Sequence, residues 1–119
     1  MDLKIDAREA GDVEVVDLAG RVSLGESATT LRDRLRGLTK DHKKLLLNLG
    51  NVSSFDSTGI GVLVSAYATA SAAGGTMKLC CLSKRVKDVL LITKLYTVFE
   101  IYDDEPAGLQ SFGGLATNA

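Results

Sequence analysis

The sequence predicts a single α/β domain built on a mixed sheet of four to five strands with about four helices. Three features predict it. The apolar period changes along the chain, from strand-like alternation around Leu3 and Ile5 to helical spacing in Ala28, Leu31, Leu35 and Leu38. Leu45-Leu46-Leu47-Asn48-Leu49 is a nearly continuous apolar run, the pattern of a strand covered by helices on both faces. A helical-period segment ending at Gly74-Gly75 then joins that run to a second one, Met77 to Leu82. The two runs and their connection form a βαβ unit, with parallel strands and a right-handed crossover. At 119 residues the chain has the size of one domain, 1–119, with 113–119 read as a flexible tail.

Leu3 and Ile5 alternate with Asp2, Lys4 and Asp6, and Glu9-Ala10-Gly11-Asp12 supplies turn residues before Val13, Val15, Val16 and Leu18, which reads as a β-hairpin. The first helix starts near Glu26, with Arg32, Asp33, Arg34 and Arg36 largely off its apolar face. After the central strand, Ile60, Leu63, Val64 and Tyr67 set the inner face of the second helix. Ser83 is placed to cap a third helix with Val86, Val89, Leu90 and Thr93 facing inward, and an edge strand is expected near Val98-Phe99-Glu100-Ile101. Pro106 suits the first turn of a last helix, with Asp103, Asp104 and Glu105 at its positive end and Leu109 and Phe112 turned to the core.

Composition narrows the function. Fifteen acidic and fourteen basic residues nearly cancel, whereas a nucleic-acid binder would show a basic surplus or stripe. Met1-Asp2-Leu3-Lys4 has no basic flank followed by an apolar core, and no apolar run approaches ~20 residues, so neither a signal peptide nor a membrane helix is expected and the address is cytoplasmic. Cys80 and Cys81 are adjacent on a strand and point to opposite faces, which predicts two reduced thiols. With His42 the sole histidine, no His/Cys cluster of metal-ligand spacing can be assembled, no Ser-His-Asp relay is suggested, and no cofactor is implied.

The informative segment is Phe55-Asp56-Ser57-Thr58-Gly59, between a central strand and a helix, where α/β proteins place ligands and partners. A short polar side chain here can cap the helix, and the free helix N–H groups can also tolerate a phosphate on Ser57. The plainer reading is that Asp56 or Ser57 is only an N-cap and Gly59 only eases the turn. A second feature weighs against it. From Ser57 to Met77 there is no charged residue, although a surface helix should show a charged outer face. Val62, Ala66, Thr69 and Ala73 read as a smooth outer stripe suited to docking, unless another part of the chain covers it.

Val52-Ser53-Ser54-Phe55-Asp56-Ser57-Thr58-Gly59-Ile60-Gly61-Val62-Leu63-Val64, preceded by Leu47-Asn48-Leu49, resembles the signature of the STAS family of anti-sigma-factor antagonists. The likeness continues through Gly74-Gly75, Met77-Lys78-Leu79, the Val86–Leu90 helix and Leu95–Glu100. The resemblance implies a single STAS-like domain. It also implies that Ser57 is phosphorylated by an anti-sigma factor carrying a GHKL-type, ATP-dependent serine kinase domain. The unphosphorylated form would bind that factor and free sigma, and a metal-dependent serine phosphatase would reset the switch. The chain would then be a kinase substrate with no catalytic residues of its own. The expected partner-binding residues are Ser23, Phe55, Asp56, Ser57, Thr58, Gly59, Gly61, Val62, Ala66 and Thr69. At Ser23 the sequence departs from relatives that often carry an acidic residue there.

Two other functions fit less of the sequence. STAS-like domains also serve membrane transport systems, so a soluble accessory subunit of a transporter is the alternative. A catalytic Ser57 lacks a Gly-x-Ser-x-Gly elbow and a nearby histidine. Lys84, Arg85 and Lys87 read as a solvated helix face, and Tyr67 as core.

Overall fold

The computed structural model describes residues 3–113, so all of the expected tail except Gly113 lies outside the described residues. Strands β1 (Lys4–Ala10) and β2 (Val13–Val22) form the hairpin, closed by a two-residue turn in which Gly11 takes a φ of 67°. A side chain rarely adopts that conformation, which suits glycine to the turn. There follow α1 (Glu26–Asp41), β3 (Lys44–Phe55), α2 (Ser57–Ala72), β4 (Thr76–Cys80), α3 (Lys84–Ile92), a 3₁₀ turn (Leu95–Thr97), β5 (Ile101–Tyr102) and α4 (Glu105–Ser111).

The sheet order is β1-β2-β3-β4-β5, with β1 antiparallel to β2 and every later pair parallel. Right-handed crossovers between neighbouring parallel strands put all the connecting helices on one face. The apolar run of β3 follows from that layering. Leu45, Leu47 and Leu49 point to the face packed by Leu31 and Leu35 of α1, Ile60 and Leu63 of α2, and Val86 and Leu90 of α3. Leu46 points the other way, into a smaller cluster with Val13, Val15 and Cys80 that α4 covers with Leu109 and Phe112.

Polar contacts fix α4 at both ends. Asp104 caps its first turn by accepting from Ala107 N at 2.8 Å. Arg8 bridges Asp17 (2.7 Å) and Glu105 (2.6 Å), and Asn48 donates to the same Glu105 carboxylate at 3.2 Å. Arg8 and Asn48 together hold the Glu105 carboxyl below the ordinary range, Arg8 more strongly. At the other end buried Lys78 donates to Ser111 O (3.1 Å) and Oγ (3.0 Å), pairs with Glu100 at 3.2 Å and lies over the Phe112 ring. A cation at a helix C-terminus is favourable, and here it also neutralises an acid at the edge of the sheet.

Several sequence expectations shift. The edge strand is only Ile101–Tyr102; Phe99 instead enters the core and meets Tyr67 edge-on, with ring centroids 5.3 Å apart. Lys94, at a φ of 62°, turns the chain out of α3 before a strand can start. Thr93 is exposed, its hydroxyl donating back to Val89 O at 2.8 Å. β4 stops at Cys80 because Cys81 has a φ of 66°, outside strand geometry. Both cysteines are free thiols, and burial pushes the Cys80 thiol up.

Gly108 lets α4 sit close on the sheet, since a Cβ there would lie 2.9 Å from Leu46 Cδ1. Gly108→Ala should therefore cost about 1–3 kcal/mol in urea unfolding. In a Leu46→Val background, which removes the opposing δ-methyl groups, the same change should cost clearly less, and a double-mutant cycle measures that coupling.

Candidate functional site at the Asp56-Ser57 turn

The site is built by two parallel strands that end together. β2 and β3 are paired from Glu14↔Leu45 to Val22↔Phe55, with register shifts between Asp17 and Ala19 and between Gly20 and Arg21. Those irregularities use up the difference in strand length, so the loops after β2 and β3 emerge side by side. Asp56 N donates to Val22 O at 3.0 Å and closes the last rung.

Asp56 is the residue that joins the two loops. Its backbone is extended (φ −92°, ψ −176°), as an N-cap requires, and Oδ1 accepts from Gly59 N at 2.9 Å in the first turn of α2. Oδ2 accepts from Leu24 N at 2.8 Å, across 32 residues of sequence. These two N–H donors, Gly59 first and Leu24 next, hold the Asp56 carboxyl below the usual carboxylate range. Of the two residues that could cap the helix, the structure selects Asp56. Ser57 is then the first helical residue. It is exposed, and no hydrogen bond among the described residues engages its hydroxyl.

The two glycines of the motif have different surroundings. A Cβ on Gly59 would lie 2.8 Å from both Phe55 Cδ1 and Val22 Cγ1, so Gly59 lets α2 sit directly on the strand ends. Gly61 has nothing within 4 Å of such a Cβ and is exposed to solvent. Phe55 is itself buried in the core.

The outer stripe expected on α2 is corrected by burial. Val62 and Ala66 are buried against α1, beside Arg32, Arg36 and Thr39, because α2 packs on two sides: Ile60 and Leu63 on the sheet, Val62 and Ala66 on α1. Thr69 and Ala73 remain exposed. The open uncharged face runs instead through Ser57, Gly61, Ser65 and Ala68, with Thr58 half-buried at its start. Steps of four, four and three residues from Ser57 keep this face in line with the serine.

The neighbouring loop contributes Ser23 and Leu24. Ser23 is half-buried and tied to Ser27, whose hydroxyl accepts from Ser23 N at 3.0 Å and donates to Ser23 O at 3.1 Å. Leu24 is 79% exposed, although Asp56 fixes its backbone. It is a residue of the candidate site that sequence reading missed. The only signal was an isolated leucine between Ser23 and Gly25, outside any periodic pattern. Of the remaining residues singled out, the basic group of α3 is exposed, and His42 caps the end of α1 remote from this turn.

Comparison with known proteins bears on the whole domain, since the STAS domain matches residues 4–107. The chain belongs to the STAS family. It is 32% identical over 110 residues to the anti-sigma-B factor antagonist of Bacillus subtilis, an alignment covering 92% of this chain and all of that protein. The STAS fold is shared with an anti-sigma factor antagonist from Mycobacterium paratuberculosis at a TM-score of 0.85, with 17% identity and coverage of 92% and 93%. The Bacillus cell fate determinant SpoIIAA in its phosphorylated form superposes at 0.71, with 15% identity and coverage of 92% and 99%. The five-stranded mixed sheet with four helices is the STAS architecture that the sequence predicted.

Asp56→Ala should cost about 1–2 kcal/mol, with loss of the helix cap as the main cause. The pH dependence has a defined sign. The folded carboxyl titrates below its unfolded value near ~3.9, so its stabilisation is complete above that pH and is lost as pH falls through the folded value. The stability gap between the wild type and Asp56→Asn, measured by urea unfolding, should be constant near neutrality and shrink below about pH 4.

Proposed function

We propose that this protein is an anti-sigma factor antagonist switched by phosphorylation of Ser57. The observation that carries the reading is the uncommitted, exposed Ser57 hydroxyl at the N-terminus of α2, left free because Asp56 supplies the cap. The function named for its relatives, including the anti-sigma-B factor antagonist, supports the partner class. The partner is an anti-sigma factor with a GHKL-type serine kinase domain, which binds the unphosphorylated form and thereby releases sigma. A serine phosphatase restores that form. The protein is the substrate in both reactions and contributes no catalytic group.

The phosphate acts by charge rather than by refolding. It adds about −1.5 to −2 at a position next to the Asp56 carboxylate and above a face without charge. Within the free protein this is tolerated, because the α2 dipole and first-turn N–H groups favour an anion and the cap does not depend on Ser57. Against a docked partner it meets desolvation and repulsion. Asp56 does not serve as the base for Ser57: both its oxygens accept backbone N–H groups, and a carboxylate held below its ordinary pKa is a poor proton acceptor. The kinase supplies that base. The docking surface consists of the Ser23-Leu24 loop and the open α2 face from Ser57 through Thr58, Gly61 and Ser65 to Thr69. Phe55, Gly59, Val62 and Ala66 support it from behind.

Incubation with the cognate kinase and ATP should add one phosphate by intact mass, and Ser57→Ala should accept none. Ser57→Asp should weaken binding to that kinase by at least about tenfold, the equivalent of ~1.4 kcal/mol. Persistent phosphorylation of Ser57→Ala would place the switch elsewhere. Co-purification with a transport ATPase in place of a kinase would favour the transporter-accessory reading.

Leu24→Ala should weaken the same complex by roughly tenfold, as expected for an apolar anchor, while leaving the unfolding midpoint unchanged because the side chain is already in water. Isothermal titration calorimetry and a urea melt separate the two effects.

A further inference from the structure

A second polar site lies at the other end of the sheet. The hairpin turn and the end of α1 enclose a cleft of about 230 Å³ lined by Glu9, Gly11, Asp12, Val13, Glu14 and His42. Glu14 is on β2 eight residues before Val22, so the cleft is about 26 Å from the Ser57 turn at ~3.3 Å per residue.

The charges in this cleft do not balance. Glu14 is only 9% exposed at its side chain, and its Oε1 has no hydrogen-bond partner among the described residues. The nearest basic atom is His42 Nδ1 at 3.7 Å, too far for a hydrogen bond. Glu9 is directly opposite Glu14 across the antiparallel pair, where like charges are unfavourable. Lys44 is the adjacent cation, and it is already paired with Asp12 at 2.5 Å. The C-terminus of α1 adds the negative end of its dipole at His42. Glu9, Asp12 and Glu14 face Lys44 and, when it is protonated, His42, so at least one carboxylate is left uncompensated. A buried carboxylate oxygen without a hydrogen-bond donor is costly, and a cation donating to the Glu14 carboxylate would reduce that cost.

We propose that this cleft binds an organic cation, an ammonium or guanidinium group, with Glu14 accepting its N–H donors and Glu9 closing the rim. An organic cation fits better than a metal ion. No group of three or more His, Cys, Asp or Glu among the described residues is placed to hold a metal. The volume also exceeds that of a bare ion and suits the head of an arginine or lysine side chain. The same chemistry could arrive as a free small cation or as a side chain of a bound protein. The site is independent of the Ser57 reading, because it shares no residue with that turn.

The test is a titration of the ¹⁵N-labelled full chain with methylguanidinium chloride and, separately, with a short arginine-containing peptide. Sodium chloride at matched ionic strength is the control. Saturable amide shifts at Glu9, Val13, Glu14 and His42, with Ser57 and Thr58 unmoved, are the expected result. Saturation by methylguanidinium identifies a free-cation site, and saturation by the peptide alone identifies a side-chain site; either supports the proposal. Glu14→Gln should weaken binding at least about tenfold. If that variant fails to fold, exposed Glu9→Gln should still weaken binding severalfold. Shifts that follow sodium chloride, or variants that bind like the wild type, would overturn it.

Discussion

The parallel pairing of β2 with β3 is the constraint on which the domain rests. β3 is twelve residues long and traverses most of the 43 Å longest dimension of the molecule. It is covered on one face by three helices and on the other by α4, so its register decides what each layer contains. A one-residue slip would exchange Leu46 with its neighbours and turn Asn48 into the larger core. The same register brings Val22 level with Phe55, and that coincidence places the Ser23-Leu24 loop within reach of Asp56. The candidate site is thus a product of sheet geometry before it is a product of its own residues.

Asp56 turns that geometry into a rigid platform. A carboxylate with two oxygens can accept from two backbone donors, and here the donors belong to segments far apart in sequence. Serine in this position could cap α2 but would leave Leu24 N without its carboxylate partner. Holding both segments with one side chain keeps the exposed serine free of structural duty. Stability and accessibility are assigned to neighbouring residues.

Much of the fold was legible from periodicity. The hairpin, the β3 run, the Gly74-Gly75 stop, the Ser83 cap and the Pro106 helix start all rest on local rules, and the structure follows them. What was not legible depended on packing between elements. Val62 and Ala66 lie where a helical wheel puts the outer face, and only the position of α1 shows them to be buried. Phe99 has strong strand propensity, but the edge of Tyr67 offered it more burial. Leu24 carries no periodic signal, since its importance comes from a hydrogen bond made 32 residues away. The glycines at 59 and 61 look alike in the motif, and only the neighbouring Phe55 and Val22 distinguish them.

That difference between the two glycines bears on how such a surface can diversify. Gly59 is held by its own chain, so variation there is paid in folding. Gly61 and Leu24 face outward, and a side chain added at 61 or exchanged at 24 would leave the strands beneath undisturbed. If the proposed docking surface is the working one, a lineage carrying several copies of this domain could retune which partner each copy accepts by substituting at those positions. The serine and its aspartate would stay as they are, which gives insulated signalling channels from one unchanged scaffold.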